Sequence, residues 1–261
     1  MKLIQIAAFF SLICLFPAAL QAQDTNKVDA QNRKQGKWVK LDHDGKAVYE
    51  GFFVDDKPVG ELIRYYKNGN IRAKQLYVKG TDSCYVELFT ENGKLTAEGG
   101  YVKEKKSGLW KYYGTNGELI LTESYKYGLS NGQSTRYYAD GTPLEKSTWD
   151  MGVQKGVYSR FFENGSLNVE MMYADGVPSG LVRHYYPNGS LRMEGAYKEG
   201  LRDGKWVTYS EDGKQQKAAT YINGVADNED EELKKETDWL NSLESKKGTI
   251  SEPNESNIRI R

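Results

Sequence analysis

Two histidines, His43 and His184, are all the imidazole this chain of 261 residues holds. No spacing pairs them with each other or with a cysteine, so neither a general acid–base couple nor a metal site is predicted. Cys14 and Cys84 are the only thiols. Asp44, Asp140 and Asp212 each precede a glycine, where a carboxylate serves as the hydrogen-bond acceptor a turn requires. No catalytic residue, cofactor or metal ligand is predicted from these residues, and the chain reads as non-enzymatic. What remains is contact chemistry. Tyr66, Tyr138, Phe162 and Tyr186 are the second rings of aromatic pairs, and Arg136, Arg160 and His184 stand two residues before the last three of them. Aromatic rings beside arginine favour an interface, so these seven form a candidate contact stripe for a protein, glycan or lipid headgroup.

The elements that carry this stripe repeat. A leading glycine recurs at Gly36, Gly60, Gly108, Gly132, Gly156, Gly180 and Gly204, with Cys84 filling the gap. A closing glycine recurs at Gly45, Gly69, Gly93, Gly117, Gly141, Gly165, Gly189 and Gly213, so eight units follow one another in steps of 24 residues. With the leading glycine as position 1, position 6 is Leu41, Tyr65, Phe89, Tyr113, Tyr137, Phe161, Tyr185 and Tyr209. Position 18 is aromatic in every copy, from Phe53 to Tyr221. A period of this length signals one array rather than separate domains. Several glycines per unit argue against helix, at about 1 kcal/mol each in a helix interior. Each unit reads instead as a β-hairpin around an Asn/Asp-Gly pair.

Pro187, with φ held near −65°, precedes Asn188-Gly189. It selects a three-residue loop: a type I turn followed by a left-handed glycine bulge. That register sets position 6 across from position 12, which holds Ile71, Leu95, Leu119, Leu167 and Leu191. Neighbouring rings such as Tyr185 and Tyr186 then point to opposite faces. Position 6 is expected on the regular, scaffold face, and position 7 on the other. The fold class expected is all-β: an elongated antiparallel β-meander of eight tandem 24-residue hairpin repeats, about 75 Å long at ~4.8 Å per strand, with a short C-terminal helix.

At the ends the pattern changes. Residues 1–22 read as a signal peptide, with Lys2, an apolar run from Leu3 to Leu20 and the small Ala22 before the cut. Removal of that leader leaves Cys84 alone, so no intramolecular disulfide can form. Residues 23–35 read as a polar, loosely held lead-in, 36–227 as the array, and 228–261 as an acidic capping helix with a disordered tail. Leu233, Leu240 and Leu243 would share one face of that helix, with Trp239 beside it. Acidic and basic residues balance at 36 each, which leaves no field to attract nucleic acid.

The unit Gly-x-Trp-x-x-Tyr-x-x-Asn-Gly-x-Leu followed by Tyr-x-x-Gly, clearest from Gly108 to Leu119 and from Gly204 to Gly213, resembles the MORN-repeat variant. Among proteins of that kind it resembles most the YwqK-type antitoxin family. The resemblance implies stacked hairpins and contact with proteins or lipids rather than catalysis. The expected function is a repeat scaffold that binds an unidentified protein partner after export to the periplasm, the cell surface or the medium. Glycan or membrane-lipid headgroup binding along an exposed aromatic ladder, or an antitoxin-like role, is the alternative.

Overall fold

The computed structural model describes residues 25–227 together with Lys235, Asp238 and Trp239. The expected leader, most of the acidic segment and the tail lie outside the described residues; Lys235, Asp238 and Trp239 have helical backbone. Nineteen strands run among the described residues, from Lys27–Val28 to Val225–Ala226. Strands pair antiparallel with their sequence neighbours throughout, and the sheet stays open. One strand is broken at Lys155, so Val153–Gln154 and Gly156–Phe161 both pair with Pro143–Asp150. Principal packing joins neighbouring strands only, so no second layer covers the sheet among the described residues.

The Asn-Gly loop has the expected form. Gly189 N donates to the Tyr186 carbonyl (2.9 Å), Tyr186 N donates to the Ser190 carbonyl (2.8 Å), and Gly189 has φ +86°. Positions 6 and 12 pair as expected, at Tyr65 with Ile71 and Tyr185 with Leu191. The Asn188 carboxamide oxygen accepts from Ser190 N (2.9 Å), and the Asp140 carboxylate from Thr142 N (2.8 Å). In the first loop Asp42, not Asp44, is that acceptor, at 2.9 Å from both Asp44 N and Lys46 N.

The link between units is a two-residue turn with both φ positive, as at Glu199 (+51°) and Gly200 (+80°), between paired Lys198 and Leu201. The leading glycine has a separate purpose. At Gly60 (φ +69°) the pairing slips by two residues, from Gly51 with Leu62 to Phe52 with Val59, and no neighbour crowds its missing Cβ. It is a bulge glycine, required for its backbone rather than for space. Cys84 explains itself by the same rule. The pairing from Ala73–Leu88 to Tyr77–Cys84 is continuous, and the extra residues sit in a longer loop between Val78 and Ser83.

Bulges also decide which residues face inward. Positions 3, 5, 14, 16, 18 and 23 form the packed face, with Trp110, Val86, Ala97, Val182, Met193 and Trp206 fully buried. Position 6 does not join position 18 there. Its hydroxyls turn to position 15 on the outer face, as in Tyr113 to Glu98 (2.7 Å) and Tyr209 to Glu194 (2.9 Å). The expectation that position 6 lies on the scaffold face fails because counting by twos crosses a bulge at position 13. His184, expected at the surface, is buried between Val169 and Met193 for the same reason.

The lead-in is organised from Asn26 onward. The Asn26 side chain pairs with Val39 in the manner of a strand residue, donating to its carbonyl (3.0 Å) and accepting from its N–H (2.8 Å). The first strand edge is thereby blunted.

Candidate functional site

Three cross-strand rows make up the packed face. The outermost, near the unit-linking turns, holds positions 18 and 23. The middle row holds positions 3 and 16, and the third positions 5 and 14. In the middle row volumes complement one another. Trp110 and Trp206 lie on Gly99 and Gly195, where an added Cβ would meet the indole at 2.4 and 2.2 Å. The larger Gln75 and Met171 instead face Val86 and Val182.

Wherever position 3 is tryptophan, the position 23 residue before it is a cation. Lys34, Lys106 and Arg202 lie 5.1, 4.7 and 4.1 Å from the ring centroids of Trp38, Trp110 and Trp206. Lys106 Nζ also donates to the Tyr112 hydroxyl (2.8 Å), and Arg202 to that of Tyr221 (2.7 Å). These cation–aromatic boxes cover the face without a second layer.

Two clusters make up most of the buried apolar face among the described residues. One buried cluster runs from Ala73 to Tyr125, and another from Tyr158 to Tyr221. Between them the middle and third rows turn polar. The middle row reads Glu123, Ser134, Ser147, with Ser134 paired to both neighbours. The third row reads Arg136, Glu145, Arg160, with Glu145 paired to both arginines. The outer row holds Ser130, Trp149 and Gln154. Glu145 accepts from Tyr158 (3.2 Å) and lies 4.0 Å from Arg136 Nε. That Nε is shielded from solvent and makes no hydrogen bond among the described residues. Trp149 Nε1 donates to Ser147 Oγ (2.9 Å), and the Tyr125 hydroxyl to Glu123 (2.7 Å). Two carboxylates thus stand among two guanidiniums. Apart from Gln154, the residues of these row segments are of intermediate burial, with the Arg136 and Glu145 side chains 18% and 12% exposed, where their counterparts in the flanking units are largely buried. Ser134 and Ser147, with Glu123, Glu145 and the two arginines, make a polar window in the packed face.

The structure brings Arg136 and Arg160 together in this window. Tyr138 and Phe162 stand at its loop edge, and Arg160 acts electrostatically on the Tyr138 hydroxyl. His184 and Tyr186 lie in the next unit, joined by Arg192, whose guanidinium sits 5.6 Å from the Tyr186 ring and 5.3 Å from that of Trp239. Burial drives the His184 imidazole down to about 3, with Arg192 and Arg202 adding to it. Tyr66 is far from the rest along the array. The position 7 rings are half-buried, and their hydroxyls bind the next unit's backbone: Tyr66 to Phe89 (2.7 Å), Tyr138 to Phe161 (2.9 Å), Tyr186 to Tyr209 (2.9 Å). Cys84 is buried, which pushes its thiol up.

Sequence reasoning missed the window and the opposite face. The signal for the window lay in Ser134, Glu145 and Ser147, polar at positions where most other units are apolar. On the outer face, position 22 is Leu129, Val153, Val177, Leu201 and Val225 in five successive links, 41–72% exposed. Each of the first four packs toward the next link's glycine, where a Cβ would lie 3.4–3.7 Å away. Exposed Leu109, Val157, Met172 and Leu181 widen this line into a ridge.

Taken together, these units form an open antiparallel repeat array with one apolar ridge and one polar window. Four of its units, at residues 58–79, 154–175, 178–199 and 202–223, match the family model of the MORN repeat variant. No curated protein matches the chain. Among solved structures, one of S. aureus TarM in complex with Fondaparinux, alpha-GlcNAc-glycerol and UDP is similar at 10% identity and a TM-score of 0.23. The match spans 46% of this chain and 19% of that one, and at that score it carries no argument.

Proposed function

We propose that this protein is an exported, non-enzymatic scaffold that binds a protein partner in the periplasm or at the cell surface. The carrying observation is the ridge. Monomeric proteins rarely expose contiguous apolar surface beyond a few hundred Å2 unless something covers it, and here five successive links present leucine or valine to solvent. The four MORN-variant units support the reading, since such repeats commonly serve interaction. The Lys2-to-Ala22 leader supports export.

The test compares the mature chain with a Val153→Lys, Val177→Lys variant as bait in a crosslinked envelope fraction. One protein species captured by the first and lost with the second supports the reading. Equal capture by both, or retention of only lipid or glycan, sinks it. Sequencing the N-terminus of the mature protein tests export, with a start after Ala22 expected. The finer antitoxin-like reading predicts that the captured species is encoded beside this chain and is toxic when expressed without it.

A further inference from the structure

We propose that the polar window of the fifth unit is a saccharide-binding site, on the face opposite the ridge and independent of the protein partner. A face that only had to fold would continue the apolar rows that flank it. Here Ser134, Ser147 and Glu145 stand at positions that are apolar or glycine in most other units. Continuing the rows with such residues would fuse the two cores.

The chemistry of the window narrows the ligand. Two guanidiniums and two carboxylates leave no net charge, which argues against an anion as the preferred ligand. Donors and acceptors alternate along Arg136, Glu145 and Arg160, at the 4.5–5.5 Å typical of cross-strand neighbours. Guanidinium and carboxylate are planar, two-pronged groups, and they match vicinal hydroxyl pairs on a sugar ring. The solvent-shielded Arg136 Nε, without a hydrogen bond among the described residues, is a donor such a hydroxyl would satisfy. Trp149 on one side and Tyr138 on the other supply rings against which the apolar face of a sugar can pack. The long axis of the window, across several strands, suits an oligosaccharide.

Titration calorimetry of the mature chain with cellotetraose, chitotetraose and maltotetraose tests this. Saturable binding of at least one is expected, weakened at least about tenfold by Ser134→Val with Ser147→Val, which removes two hydroxyl partners. Because those changes extend the apolar rows, the variant should keep its circular dichroism and a melting temperature no lower than the parent. Arg136→Met, judged by the same criteria, is the second variant, and it should weaken binding too. Val153→Lys with Val177→Lys should leave sugar binding unchanged, which separates this site from the ridge. No binding of any tetraose, binding indifferent to the window variants, or binding of inorganic phosphate or phosphatidylglycerol vesicles in place of sugar overturns the proposal.

Discussion

At the scale of single residues, backbone conformation outranks the consensus. Cys84 stands where the other units have a left-handed glycine, yet its strand pairs without a bulge. Cys84→Gly, although it restores the repeat, should therefore destabilise the protein by about 1–2 kcal/mol through backbone entropy and lost burial. Gly180→Ala should cost about 1 kcal/mol because alanine is strained at φ +83°, even though nothing lies within 4 Å of the added methyl. Urea unfolding of both variants checks the pair, and a stabilised C84G would contradict this account of the bulge. His184 makes a pH prediction. Its folded value of about 3 lies below the ordinary histidine value. Below about pH 6.5 the unfolded chain therefore binds a proton that the native chain refuses, and stability falls by up to about 1.4 kcal/mol per pH unit down to about pH 3. Carboxylates titrate in part of the same range, so the readout is the difference from His184→Leu. That variant should lose stability less steeply between about pH 6.5 and 4.5; parallel slopes would refute the assignment.

Between strands, the governing rule is cross-strand volume. Trp206 over Gly195 and Val182 beside Met171 are two solutions of one packing problem. Gly195→Met alone should overpack the face and cost about 2–3 kcal/mol. Adding Trp206→Val should recover much of that loss, giving a coupling of at least about 1 kcal/mol in a double-mutant cycle. Additive costs would show that the indole and the glycine are independent. Arg202 completes the same box, 4.1 Å from the Trp206 ring centroid. Its replacement by methionine should lower stability by about 1–2 kcal/mol through the cation–aromatic contact and the Tyr221 hydroxyl.

For the molecule as a whole, the polar window divides the core. Stability in a repeat array is a sum of units and nearest-neighbour contacts, and the contact through the fifth unit lacks apolar burial. Native-state hydrogen exchange should therefore show residues 73–125 and 158–221 opening as separate cooperative blocks. Ser134→Val with Ser147→Val should merge them toward one transition. A single block in the parent chain would contradict this reading of the window.

How much of this was legible before the structure follows from the range of each interaction. Period, hairpin, loop type and the pairing of positions 6 and 12 are local: they depend on Pro187, the Asn-Gly pairs and a spacing of 24 residues. The sequence by itself determined them, along with the candidacy of Arg136 and Arg160. The faces were decided only in three dimensions. A bulge at position 13 or at the leading glycine shifts the alternation of side chains by a residue, so Tyr185 turned outward and His184 inward. The pairing of Lys106 with Trp110, and the meeting of Glu145 with two arginines, likewise depend on which strands lie side by side. Tertiary structure therefore assembled the window, because its polar residues come from separate strands and only cross-strand registry sets them in one place.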